Sequence, residues 1–203
     1  MWFYVETGCR MMRKRYLLGG ELIFLVGTPL LMSINYLTFH VTVEFLCAAV
    51  ALFASYIIQK NGRLKNRSFY KVLSATMISV AIVDLFHLIT YRGMGVFPVD
   101  EANIATQFWL VGRYLLVLGL LSGTLLSRKN LRYPVVLALF LLITVAAIFA
   151  VFSGFFPDSF ILGTGLTQFK IISEYLIIGL FLLTLPLLTN HQVTFCMKGH
   201  LLL

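Results

Sequence analysis

Apolar residues run along this chain in long blocks broken by short polar interruptions, at approximately 17–37, 40–59, 69–91, 103–126, 133–153 and 169–189. Each block is near the roughly 20 residues a helix needs to cross about 30 Å of hydrocarbon at ~1.5 Å per residue. A transmembrane barrel would show roughly ten-residue segments of alternating polarity. The run YPVVLALFLLITVAAIFAVF has no such alternation. The pattern predicts an all-α integral membrane protein with six transmembrane helices.

The interruptions carry the expected helix breakers: Asn35, then QKNGRLKNRS, GMGVFPVDEAN, SRKNLRYP and SGFFPDSFILGTGLTQ. Pro29 and Pro186 fall inside predicted spans, where neighbouring helices tolerate a kink. No long polar linker, fixed-period repeat or low-complexity segment divides the chain. The expected organisation is a basic N-terminus (1–16), one six-helix membrane domain (17–189) and a short tail (190–203) with no output domain.

Composition strengthens this reading. Of 203 residues, 60% are hydrophobic and only 12% charged, with mean hydropathy +0.92, which excludes a water-soluble domain. The first block is long, contains Glu21 and lacks a small-x-small cleavage site, so it does not read as a cleaved signal peptide. The net charge of +8 does not indicate nucleic acid, because the basic residues cluster just beyond helix ends and answer to topology. Arg10, Arg13, Lys14 and Arg15 precede the first span; Lys60, Arg63, Lys65, Arg67 and Lys71 join the second to the third; Arg128, Lys129 and Arg132 join the fourth to the fifth. Arg92 and Lys170 lie in the opposite connections with Asp100, Glu101 and Asp158. Both termini are therefore expected in the cytoplasm, Lys198 included. Cys9 and Cys196 fall on that reducing side and Cys47 within the second span, so no disulfide framework is implied.

Alternating span directions assign depths to the polar residues. His40 opens the second span at its outer end, and Glu44 stands one turn deeper on the same face. Asp84, His87 and Tyr91 form one stripe near the outer end of the third span. The fourth begins NIATQFWLVGRY, which places Gln107, Trp109 and Arg113 in its outer half; Lys170 and Glu174 form an i, i+4 pair at the start of the sixth. Charge at the bilayer centre costs about 2.5–3.5 kcal/mol per residue on the insertion scale, so these groups should face inward and share a chamber opening outward. Glu44, Asp84 and Glu174 against Arg113 and Lys170 leave one formal negative charge if the histidines are neutral; a protonated imidazole or a bound cation would close that balance. The candidate ligand-binding set is His40, Glu44, Asp84, His87, Tyr91, Gln107, Trp109, Arg113, Lys170 and Glu174. His40, Glu44, Asp84 and His87 offer nitrogen and oxygen ligands suited to a transition metal, although their spacing fits no dedicated motif. A purely structural ion-pair network is the alternative reading. No Ser/His/Asp arrangement, CxxC pair or HExxH stretch supports catalysis, and no enzyme is expected.

The stretches FHVTVEF (39–45), DLFHLITYRGMGVF (84–97), NIATQFWLVGRY (103–114) and FPDSFILGTGLTQFKIISEY (156–175) resemble, in order, the membrane-associated sensor domain of type three. Such domains stand at the front of bacterial sensor histidine kinases and diguanylate cyclases. The resemblance covers most of the chain and lands on the same chamber residues, together with Gly93 and Met94. It implies a multi-pass protein of the bacterial inner membrane, in two-component or cyclic diguanylate signalling. Its partners would be the lipid bilayer, an unknown small ligand, and a cytoplasmic histidine kinase or diguanylate cyclase module or a second copy of the chain. The family pattern continues through further membrane helices before the output module, whereas this sequence ends soon after the sixth span. On that comparison it reads as a fragment, a truncated product or a detached sensor. A small transporter or proton-coupled carrier, or a structural membrane partner, are the competing expectations.

Overall fold

The computed structural model describes residues 32–33, 35–97 and 102–200. The basic N-terminus, nearly all of the predicted first span with Glu21 and Pro29, and the acids Asp100 and Glu101 lie outside the described residues. Five helices among the described residues are long and apolar enough to cross a membrane. They are α1 (Tyr36–Lys60), α2 (Ser68–Ile89), α3 (Ala102–Leu125), α4 (Tyr133–Phe152) and α5 (Gln168–His200), and they match predicted spans two to six. A two-stranded antiparallel hairpin, β1 (Phe160–Ile161) with β2 (Gly165–Leu166), lies between α4 and α5. The helix of the last predicted span runs on beyond residue 189 to His200, past the apolar stretch Gln168–Leu188; NHQVTFCMKG contains no proline to stop it.

By packing, the chain divides into residues 1–43 and 44–203. In the first unit Asn35 caps α1, its Oδ1 accepting from the Leu37 and Thr38 backbone N–H groups at 2.8 and 3.3 Å. The Tyr36 ring stacks on His40 at 6.2 Å between centroids.

In the second unit α2 is the central helix: 61% of its apolar window is buried, against 17% for α4 and α5. Its small and β-branched residues explain why. Ser74, Ala75, Thr76, Ser79, Ala81 and Val83 are all fully buried, and such side chains let neighbouring backbones approach closely. Against α1, Ser55 meets Ser74 and Ala48 and Ala51 meet Ala81, an antiparallel register. Against α3, Gly123 faces Phe69 and Val72, Gly119 faces Thr76, and Gly112 faces Val83 and Asp84, again antiparallel. Against α4, Val72 and Ala75 pack on Val136 at one end and Phe86 on Phe152 at the other, so these two run parallel. Helix α5 runs parallel to α3, with Lys170 on Trp109 and Ile177 clustered with Val117.

One end of this bundle gathers the bases Lys60, Arg63, Lys65, Arg67, Lys71, Arg128, Lys129 and Arg132. The two connections that carry them are tied together: Lys71 Nζ donates to the Leu131 carbonyl at 2.7 Å, and the Ser68 hydroxyl donates to the Lys129 carbonyl. The opposite end holds the α2–α3 turn, the hairpin and an aromatic cluster of Phe86, Phe97, Phe108 and Phe152.

Candidate functional site

At the end away from the basic connections, α1, α2, α3 and α5 each turn charged or polar side chains toward one another. Helix α2 contributes Asp84 and His87, only 4% and 5% exposed. Asp84 finds room because α3 has no side chain at Gly112; a Cβ there would lie 3.1 Å from the Asp84 Oδ1. The His87 Nδ1 stands 2.7 Å from the Ala105 carbonyl. A carbonyl only accepts, so Nδ1 carries the proton and Nε2 is the ring's acceptor nitrogen. Tyr91, one turn on, sets its ring edge-on to the imidazole at 6.0 Å.

From α1, the Glu44 carboxylate comes within 4.8 Å of a His87 ring nitrogen, and Glu44 also acts electrostatically on Asp84. His40, in the first unit, occupies the position one helical turn before Glu44. From α3, Trp109 is a shared platform. The Lys170 ammonium sits 3.4 Å from its ring centroid and the Arg113 guanidinium 5.3 Å, both suited to the negative face of an indole. Arg113 interacts electrostatically with Asp84, His87 and Lys170. From α5, Lys170 is 4% exposed and bonds Glu174 at 2.9 Å, one turn further along the helix.

Gln107 lands elsewhere. Its amide donates to the carbonyls of Phe156 and Pro157, both at 3.1 Å, which holds the α4–α5 connection down. Asn103, a turn earlier and absent from the predicted set, does more of the same. Its Oδ1 accepts from the Ser159 and Phe160 N–H groups and its Nδ2 donates to Asp158. An asparagine opening a helix gives little warning of such a role. Gly93 and Gly95 take φ of +95° and +65° with Met94 N–H bonded back to the Tyr91 carbonyl, so GMGVF forms a turn that needs glycine for its backbone.

The structure also shows a polar group at the basic end that sequence reasoning passed over. The Ser74 hydroxyl bonds Ser55 at 2.8 Å, accepts from Gln59 Nε2 at 2.9 Å and meets the Tyr133 hydroxyl at 3.3 Å, joining α1, α2 and α4. Ser55 and Gln59 sit one turn apart in α1, a spacing that was the available signal. Between the two polar groups Ala48 and Ala51 of α1 pack on Met77 and Ala81 of α2.

Fold and site define a multi-pass helical membrane protein whose spans bury a mixed-charge cluster near one end. The family model for the membrane-associated sensor domain, MASE3, matches residues 31–203, and the chain belongs to that family. No curated protein and no solved structure matches it. Family membership makes it a membrane-embedded sensor domain with a sensory input role, as the resemblance of its four stretches implied.

Proposed function

We propose that this domain detects a small ligand, ion or redox species at the cluster of Glu44, Asp84, His87, Trp109, Arg113, Lys170 and Glu174, and relays the event to a cytoplasmic histidine kinase or diguanylate cyclase module. In this reading the basic end of the bundle is cytoplasmic and the cluster lies in the outer half of a bacterial inner membrane. The observation that carries it is the burial of charged side chains from several spans against one another, where lipid-facing placement would be costly. Arg113 and Lys170 offset two of the three acids, and Trp109 holds both cations in place. The domain itself performs no catalysis. A stimulus shifts the helix packing only by binding one arrangement better than another, and about 1.4 kcal/mol of preference changes the ratio tenfold. Carrier function is disfavoured by the apolar packing of Ala48, Ala51, Met77 and Ala81 between the cluster and the polar group at the basic end.

The test is a fusion of the full chain to a diguanylate cyclase output, read in bacterial cells. Asp84→Asn and Arg113→Gln should each fix output at one level without changing the amount of protein in the membrane. Output that responds normally in both variants would refute the reading. Substrate flux through sealed vesicles, absent in the sensory reading, would establish a carrier instead.

A further inference from the structure

The cluster is short of positive charge in one particular place. Glu44 Oε2 is buried and has no hydrogen-bond partner among the described residues, a costly condition for a carboxylate unless a cation completes it. Across from it, His87 has its Nδ1–H spent on the Ala105 carbonyl. That is how proteins orient a metal-binding imidazole: the outer hydrogen bond fixes the tautomer and points Nε2 at the ion. The Glu44 and His87 ligand atoms lie within 4.8 Å of each other. Two ligands ~2.1 Å from a tetrahedral ion stand roughly 3.4 Å apart, so side-chain adjustment of about 1.4 Å at most closes the site.

We propose that Glu44 and His87 bind a divalent transition-metal ion, which is the species this domain reads. The inference rests on the sensory reading given above and names its stimulus. Imidazole nitrogen with one carboxylate oxygen selects a zinc-like ion over calcium or magnesium, which prefer all-oxygen shells. Two protein ligands leave positions open for water or exchange, as a reversible sensor requires. Charge agrees: Glu44, Asp84 and Glu174 outweigh Arg113 and Lys170 by one when His87 is neutral, and the metal-binding imidazole is the neutral form.

The experiment titrates the chelator-stripped full chain in detergent with Zn²⁺ by calorimetry and with Co²⁺ by visible absorption. Expected is saturable binding, a Co²⁺ spectrum showing nitrogen and oxygen ligation, and Zn²⁺ affinity at least about tenfold weaker in Glu44→Gln and in His87→Gln. Equimolar Ca²⁺ or Mg²⁺ should not displace Zn²⁺. Should His87→Gln elute as unfolded material, Glu44→Gln, isosteric and on the more exposed helix, carries the test alone. Unchanged Zn²⁺ affinity in Glu44→Gln, or displacement by Ca²⁺, overturns the proposal. Failure of the metal proposal alone leaves Asp84→Asn still altering fusion output. Failure of the sensory reading alone gives the expected loss of Zn²⁺ binding with output unmoved.

Discussion

Gly119→Ala should separate the two most closely packed helices of the second unit. A Cβ at position 119 would run into three Thr76 atoms, Oγ1, Cγ2 and Cβ, the last at 2.8 Å. Rotation cannot relieve this, because Cβ does not move with χ1, and the Thr76 hydroxyl is held by the Val72 carbonyl at 2.9 Å. Carbon atoms prefer about 3.8 Å, so the backbones must part by roughly 1 Å. Parting them also loosens Gly112 against Val83 and Gly123 against Val72 on the same stripe. Overpacking of this kind costs about 1–3 kcal/mol, a fall of roughly 5- to 150-fold in the folded-to-unfolded ratio. The assay is unfolding in mixed micelles with rising denaturing detergent, followed by circular dichroism. Gly179→Ala is the matched control, since a Cβ there meets nothing within 4 Å; it should be neutral or stabilise by up to about 1 kcal/mol through helix propensity. Adding Thr76→Ala to Gly119→Ala should recover part of the loss, because the two γ atoms leave and Cβ remains. Full stability in Gly119→Ala, or the same loss with and without Thr76→Ala, would refute the close-contact argument.

Three further outcomes follow. Ser74→Ala removes the shared partner of Ser55, Gln59 and Tyr133 and should cost about 0.6–1.7 kcal/mol in the same unfolding assay, the range for hydrogen bonds between membrane helices; no measurable change would mean the network adds nothing. Asn103→Ala frees the Ser159 and Phe160 amides, so hydrogen exchange across 153–167 should speed up by at least about tenfold while helix content holds. Lys170→Met and Glu174→Gln should be non-additive by at least about 0.5 kcal/mol in a double-mutant cycle, as expected for partners 2.9 Å apart; strict additivity would deny the pair any energetic role.

The spans described here and most of the charged cluster could be read from sequence because burial in lipid leaves charge few places to go. A carboxylate at 84, three residues before a histidine in an apolar run, must face protein, and that argument needs no coordinates. The same argument failed for Gln107, whose neutral amide satisfies itself on loop carbonyls, and it said nothing about Asn103, whose partners lie more than fifty residues away. Ser55, Ser74 and Gln59 were missed for a related reason: hydroxyls and amides cost little enough in a helix that they raise no alarm singly. Only their meeting across α1 and α2, a matter of register between helices, makes them a network. The last span ends where polarity begins, as read, while its helix runs on to His200, since nothing in the backbone chemistry after residue 189 ends a helix.

The order of layers along α1 and α2 has a mechanical consequence for the sensory reading. Glu44 faces the cluster, Ala48 and Ala51 meet Ala81 below it, and Ser55 and Gln59 grip Ser74 at the basic end. Alanine has no side-chain torsion with which to absorb a displacement, so a slide of α1 past α2 at Glu44 must reappear, little diminished, at Ser55. The Ser55–Ser74 bond sets the tolerance there. It is 2.8 Å long, and a slide of about 2 Å across it lengthens it to about 3.5 Å, the limit of a useful hydrogen bond. In the sensory reading, a stimulus that draws Glu44 toward His87 would have to slide the helix by about 2 Å to break one polar network with another. Under that reading, keeping or losing the bond at Ser74 is how an event at Glu44 would be felt at the far end of the helix pair.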